Sequence, residues 1–143
     1  MPVGIDMTKF TKLENSKVNK IKKSILFLGR IAPSKNIHIF IEALGFLKKL
    51  DIVFFANIYG NILPKHAFYL EELKTRAQDV ALGDNLKFHA GTPNHQTPEI
   101  YNSHEIFVNL SSSGMYDKTI FEAMACGCLI LASNDNLRGQ INN

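Results

Sequence analysis

"SILFLGRIAPSKNIHIFIEAL", residues 24–44, sets the reading of the whole chain. Its first part, "SILFLG" (24–29), is a continuous apolar run stopped by glycine, the pattern of a strand buried on both faces. Its last part places Ile37, Phe40, Ile41 and Leu44 at i, i+3, i+4, i+7, with Leu47 continuing the stripe, so one face of a helix is apolar. Ser34 is positioned to cap that helix. Between strand and helix lies "GRIAPSKN" (29–36), which carries Arg30 and Lys35.

The same alternation continues along the chain. "IVFFANIYG" (52–60) predicts a second buried strand. Residues 66–82 predict a helix with Ala67, Leu70, Leu73, Ala77, Val80 and Ala81 on one side, ended by Gly83. "NLKFHAG" (85–91) is a third strand, "TPEIYNS" (97–103) a short helix, and "EIFVNL" (105–110) a fourth strand. "SSSGMYDKTIFEAMACG" (111–127) holds the fourth helix, and "CLILAS" (128–133) is the fifth strand. Strands alternating with helices at this spacing give a parallel sheet, and continuously apolar strands call for cover on both faces. Right-handed crossovers then make an α/β, Rossmann-like domain over 24–143. Residues 1–23 have no sustained period and read as a solvated linker; the six lysines of "MTKFTKLENSKVNKIKK" offer a membrane-surface role as an alternative. The polar tail "NDNLRGQINN" has no helical period, and a further helix and strand are expected after it, so truncation at the C-terminus is expected.

The chain has 143 residues, 45% of them hydrophobic, and a net charge of +3. That is one domain with a core, too weakly basic for nucleic acid and suited to a small anion. No apolar run approaches a bilayer span, and residues 1–23 lack the apolar segment of a signal peptide. Cys126 and Cys128 are expected as buried thiols in a reducing compartment. The five histidines (38, 66, 89, 95, 104) have no metal-ligand spacing; His89 and His95 invite a catalytic reading, but structural roles are expected.

In open parallel sheets ligands bind beyond the carboxyl ends of the strands. Arg30 and Lys35 lie there, at a helix start whose dipole already repels cations, which makes sense where an anion binds. Lys118 repeats the anomaly at the fourth helix. Solvated surface charges, and a Lys118–Glu122 pair of about 0.3 kcal/mol, are the plain alternatives. Glu122, one turn into that helix, can accept the hydroxyls of a diol. The backbone of "HAGTPNHQ" (89–96) can meet a flat ring. Two cations and a carboxylate around one crevice describe a nucleotide-diphosphate site. Neither G-x-G-x-x-G nor G-x-x-x-x-G-K-[ST] is present.

"ILFLGRIAPSKNIHIFIEAL", "NLKFHAGTPNHQTPEIYNSHEIFVNLS" and "FEAMACGCLILAS", in that order, resemble the donor-binding domain of family 4 retaining glycosyltransferases of the GT-B architecture. "PVGIDMTKF" (2–10) looks like the segment joining that family's two Rossmann-like domains. The resemblance covers nearly the whole chain. It implies that the chain is one half of a GT-B architecture. Arg30 and Lys35, with Lys118, Thr119 and the amides from Tyr116 to Thr119, would hold the diphosphate of a UDP, GDP or ADP type sugar donor. Glu122 would bind the ribose, and the base would lie near Ala90. No metal and no cofactor are implied.

One departure is specific. Where the family commonly reads "EGFG" this chain reads "GMYD", so Gly114 replaces the first glutamate of Glu-x7-Glu, and Asp117 stands at the last glycine. Gly114, Tyr116 and Asp117 are therefore candidate donor-sugar contacts, with Asp117 or Lys118 substituting for the absent carboxylate. The implied function is donor binding in an enzyme moving a hexosyl group to a glycan or lipid-linked acceptor. The partner is an N-terminal acceptor-binding domain, which these residues do not supply. The catalytic groups are expected partly there, so the chain alone is expected to be inactive. The expected location is cytoplasmic, with peripheral contact at the inner membrane face through the full-length enzyme. The alternative is a non-catalytic nucleotide-binding or scaffolding module of the same fold. A receiver-like signalling domain would need acidic residues where Arg30 stands.

Overall fold

The computed structural model describes residues 4–14, 18–112 and 117–134. Five strands form one sheet: β1 (Ser24–Leu28), β2 (Phe55–Tyr59), β3 (Leu86–His89), β4 (Ile106–Asn109) and β5 (Leu129–Ala132). Their order is β3-β2-β1-β4-β5, and every pairing is parallel. Helices α1 (Ile37–Lys49), α2 (Ala67–Asp79), α3 (Thr97–Asn102) and α4 (Lys118–Ala125) make the crossovers. The elements follow one another in the expected order, and the domain is Rossmann-like. The strand order reverses between β1 and β4, and that switch point is where an open sheet of this kind leaves a crevice.

Alternation along β1 shows why its run had to be apolar throughout. Ile25 and Phe27 join one cluster with Phe40, Ile41 and Leu44 of α1 and Leu73 of α2. Leu26, between them, joins a second cluster on the opposite face with Tyr101 of α3 and Ile120 and Ala123 of α4. At roughly 25 cal/mol per Å² of apolar surface removed from water, these two layers supply the main driving force for folding.

Several boundaries differ from expectation for identifiable reasons. Ser34 is not the cap of α1. A 3-10 turn spans Pro33–Lys35, and Asn36, at φ 53°, caps α1 from the left-handed region, which asparagine tolerates better than most residues. Ile52 and Val53 are exposed, and β2 begins only at Phe55. Leu50 and Asp51 finish the helix C-terminus, Asp51 at φ 56°. On β2, Ala56 and Ile58 are buried, whereas Phe55 is 48% exposed, so helical cover on the second face does not extend over this strand. β5 is an exposed edge, with Leu129 and Leu131 open to solvent. α2 ends at Asp79, and Ala81, not Gly83 alone, takes a positive φ in the turn that follows. Its buried side is Tyr69 and Leu73, while Ala67 and Ala81 are exposed.

The lead-in is also not simply solvated. Phe10 is 3% exposed and meets the Tyr101 ring edge-on at 6.1 Å. Leu13 donates its backbone N–H to Asn102 Oδ1 at 2.8 Å, and Asn102 Nδ2 donates to the Thr11 carbonyl at 2.9 Å. Among the described residues, no helix is long and apolar enough to cross a membrane.

Candidate functional site

The loops that follow β1, β2 and β3 are held together by backbone. Gly29 N–H donates to the Tyr59 carbonyl at 3.0 Å, and Ile31 N–H to the Asn61 carbonyl at 3.0 Å. The chains run so close that a Cβ on Gly60 would overlap the Gly29 carbonyl oxygen, and one on Gly91 would overlap the Asn61 side chain. These glycines are therefore required by close approach, which is why the strand ends read as apolar-then-glycine. The result is an open edge with two adjoining hollows. One, of about 370 Å³, is lined by Ile31, Gly60, Asn61, Leu70, Phe88 and Ala90. The other, of about 160 Å³, lies against Arg30, Asn61, Gly91 and Thr92. Ala90 and Arg30 are both exposed at this edge, and Arg30 has no side-chain partner among the described residues.

Across the switch point the edge is built of side chains. Asn36 Nδ2 donates to the Leu110 carbonyl at 2.8 Å, fastening the start of α1 to the end of β4. This bond fixes the approach of the neighbouring residue, Lys35, toward α4. Lys35 Nζ lies 3.0 Å from Asp117 Oδ2 and 3.3 Å from Ser111 Oγ. Asp117 caps α4: its Oδ1 accepts from Thr119 N–H at 3.1 Å and from Thr119 Oγ1 at 2.6 Å. Its Oδ2 also accepts from Asn109 Nδ2 at 2.8 Å. Burial works against the Asp117 charge, but the Thr119 and Asn109 hydrogen bonds and the Lys35 ammonium outweigh it and hold the carboxyl below its ordinary pKa. Asn109 is itself oriented by accepting the Ser111 N–H at 3.0 Å. Asn36, Asn109 and Ser111 were not anticipated; the only local signal was a polar Asn ending an apolar strand.

Glu122 faces inward from α4. It is 6% exposed and accepts the Tyr101 hydroxyl on Oε2 at 2.9 Å. The buried face of α4 is thus Ile120, Glu122 and Ala123, while Met124 is exposed. Burial raises the Glu122 pKa, against the opposing pull of the Tyr101 hydrogen bond and the Lys118 charge. No hydrogen bond from a described residue reaches Oε1. Lys118 is exposed and makes no ion pair with Glu122 among the described residues. Gly114 and Tyr116 lie outside the described residues.

Lys35, Asp117 and Thr119 are therefore brought together at the switch point, with Lys118 exposed beside them and Glu122 one turn below the α4 N-terminus, whereas Arg30 lies with Asn61, Gly91 and Thr92, and Ala90 along the β3 edge. His89 and His104 serve the scaffold. His89 stacks on Tyr59 with ring centroids 4.2 Å apart and shares a hydrogen bond with Asn57 Oδ1, and the buried His104 meets Asn57 Nδ2. Burial lowers the pKa of both. Cys126 and Cys128 are buried free thiols whose pKa values burial pushes up to about 12 and about 11.

The profile of the family described as "Glycosyl transferases group 1" matches residues 8–142. The chain is 28% identical over 144 residues to alpha-monoglucosyldiacylglycerol synthase of Streptococcus pneumoniae, covering 92% of this chain and 31% of that protein. It spans between 30% and 34% of the length of the curated relatives it matches. Among solved structures, the C-terminal domain of a glycosyl transferase group 1 family protein from Francisella tularensis superposes with a TM-score of 0.75 at 26% identity, over 90% of this chain and 70% of that one. The Anabaena protein HepE in complex with UDP and glucose matches with a TM-score of 0.83 at 20% identity, over 98% of this chain and 39% of that one, a likeness of fold.

Proposed function

Because the chain belongs to the group 1 glycosyl transferases, we propose that it is the donor-binding half of a retaining, GT-B type hexosyltransferase and that the switch point between β1 and β4 is its nucleotide-sugar site. The observation that carries this reading is convergence. Lys35, from the loop after β1, meets the N-terminus of α4 after β4, while Arg30 of the same loop lies with Asn61, Gly91 and Thr92 on the other side of the strand-order reversal, so the two cations flank the carboxyl end of β1. A helix N-terminus with cations around it is a site for phosphate, and Arg30 supplies a planar fork for two oxygens. Lys118 adds charge at the rim. The hollow by Ala90 would take the base. Glu122 would offer Oε1 to a ribose hydroxyl while Tyr101 holds Oε2.

In this reading the protein's contribution to chemistry is positioning of the donor, which is effective only when the acceptor is held opposite it. An N-terminal acceptor-binding domain, joined through residues 1–23, would supply that, with a glycan or a lipid-linked molecule as acceptor. The relative that makes a glucosyl lipid supports the second, and the working place would be the cytoplasm or the inner face of the membrane. Gly114 favours the other reading, a nucleotide-binding module without transfer, because no carboxylate stands where the family places one beside the sugar.

Calorimetry with UDP, GDP and ADP tests the site. Binding of one of them is expected, and Arg30→Ala is expected to weaken it at least thirtyfold, about 2 kcal/mol for a charge-assisted bidentate contact. A folded chain whose affinity ignores Arg30→Ala would remove the site from this crevice. Transfer by the full-length enzyme then separates the two readings.

A further inference from the structure

We infer that the Asp117 carboxylate is an internal anion occupying the cradle where the donor's diphosphate would lie, so that nucleotide binding requires the Lys35–Asp117 pair to open. This rests on the donor-site reading above and concerns the same crevice.

The geometry is that of an anion site already filled. Four donors converge on the two oxygens: Lys35 Nζ at 3.0 Å and Asn109 Nδ2 at 2.8 Å on Oδ2, Thr119 N–H at 3.1 Å and Thr119 Oγ1 at 2.6 Å on Oδ1. A cation, a helix N-terminal amide, a hydroxyl and a side-chain amide are the set that a phosphate oxygen also recruits. The Lys35 and Asp117 side chains are each 13% exposed, so water screens the pair weakly. The single N–H of Thr119 cannot serve carboxylate and diphosphate at once, and the charge of Lys35 is already neutralised by the carboxylate. If the carboxylate stays in place, two anions share a poorly screened pocket and repel. Arg30 differs: it is exposed and has no partner among the described residues, so it stands ready for a phosphate while Lys35 is engaged. Asp117 occupies the position of the last glycine of "EGFG", a residue with no side chain to compete. Donor affinity is then set by what Asp117 gives up.

The test is titration calorimetry of the full chain with UDP and, separately, with inorganic pyrophosphate, on the wild type, Asp117→Asn and Asp117→Ser. Both replacements are residue types that cap helices, so α4 keeps its N-cap. Both are expected to bind UDP and pyrophosphate at least tenfold more tightly than the wild type, about 1.4 kcal/mol. Binding by the variants alone, with a wild type too weak to measure, supports the inference equally. UDP affinity unchanged or reduced in both variants, with native circular dichroism, overturns it; if Arg30→Ala still abolishes wild-type binding, the donor-site reading survives. Tighter UDP binding with unaltered pyrophosphate affinity also overturns it, because Asp117 would then act on the sugar or base. No binding of UDP or pyrophosphate by any of the three folded proteins overturns both.

Discussion

The crevice has two sides made by different means. On the β1–β2–β3 side the chain backbones touch, glycines permit the approach, and the hollows beside Arg30 and Ala90 stand open. On the β4 side, side chains from distant parts of the sequence satisfy one another: Asn36 with Leu110, Lys35 with Asp117, Asn109 with Asp117. The first side offers unsatisfied recognition capacity but leaves no room for a side chain at Gly60. The second has adjustable parts and has already used its capacity on itself. Rigid shape and open electrostatics thus sit on one bank, and plasticity with internal neutralisation on the other.

The largest effect that would break this contrast is expected from Gly60→Ala. A methyl there meets the Gly29 carbonyl oxygen, which belongs to the backbone and can move only by parting β1 from β2. A loss of about 3 kcal/mol or more is expected in urea unfolding, at the upper end of overpacking costs. A Gly60→Ala protein as stable as the wild type would show that the open bank is not rigid. An intermediate effect is expected beneath the other bank, from Tyr101→Phe. It leaves Glu122 Oε2 without its donor at a position 6% exposed, costing about 1–3 kcal/mol.

The pH dependence of Glu122 sharpens the same point. Burial raises its folded pKa above the ordinary 4.5, so the native state keeps the proton to higher pH than the unfolded chain. Stability from this group is therefore fully present below about 4.5 and is lost as pH rises through the raised folded value. Glu122→Gln should flatten that loss in unfolding midpoints measured from pH 4.5 to 7. Tyr101→Phe, which removes a hydrogen bond that lowers the pKa, should extend it upward. Asp117 acts in the opposite sense: its depressed pKa gives stability that is present above the ordinary 3.8 and is lost as pH falls through the folded value. The smallest effect is expected from Lys118→Ala, an exposed cation without an ion-pair partner among the described residues. Stability should change by less than about 0.5 kcal/mol and UDP affinity by a few-fold at most.

What the sequence made legible follows the same division. Apolar runs marked the strands, most clearly β1, whose residues pack on both faces, and the helical stripe of Ile37, Phe40, Ile41 and Leu44 is buried as its period implied. Arg30 and Lys35 draw attention in the sequence because two cations at one helix start are locally anomalous. The β4 bank could not be read this way. The Lys35–Asp117 contact joins residues 82 apart, and nothing near either one says that it is made. The burial of Glu122 and its bond from Tyr101 are not legible either, because a carboxylate on a helix face gives no local sign of the tyrosine 21 residues away that meets it. Phe10 was missed because a lone aromatic in a lysine-rich stretch has no period. Ile52 and Val53 were placed in β2 because an apolar run does not show where the preceding turn ends.

Tyr101 has a use that follows from its surroundings. The chain has no tryptophan and four tyrosines, so its absorption and emission at wavelengths beyond the phenylalanine band come from tyrosine. Tyr101 is fully buried and gives its hydroxyl to the same carboxylate that would meet a ribose. A sugar hydroxyl arriving at Glu122 would redistribute charge on that carboxylate, and the phenol would register it as a shift in absorption and emission. Were Glu122 the ribose contact, the Tyr101 signal would report it, with Tyr101→Phe as the blank.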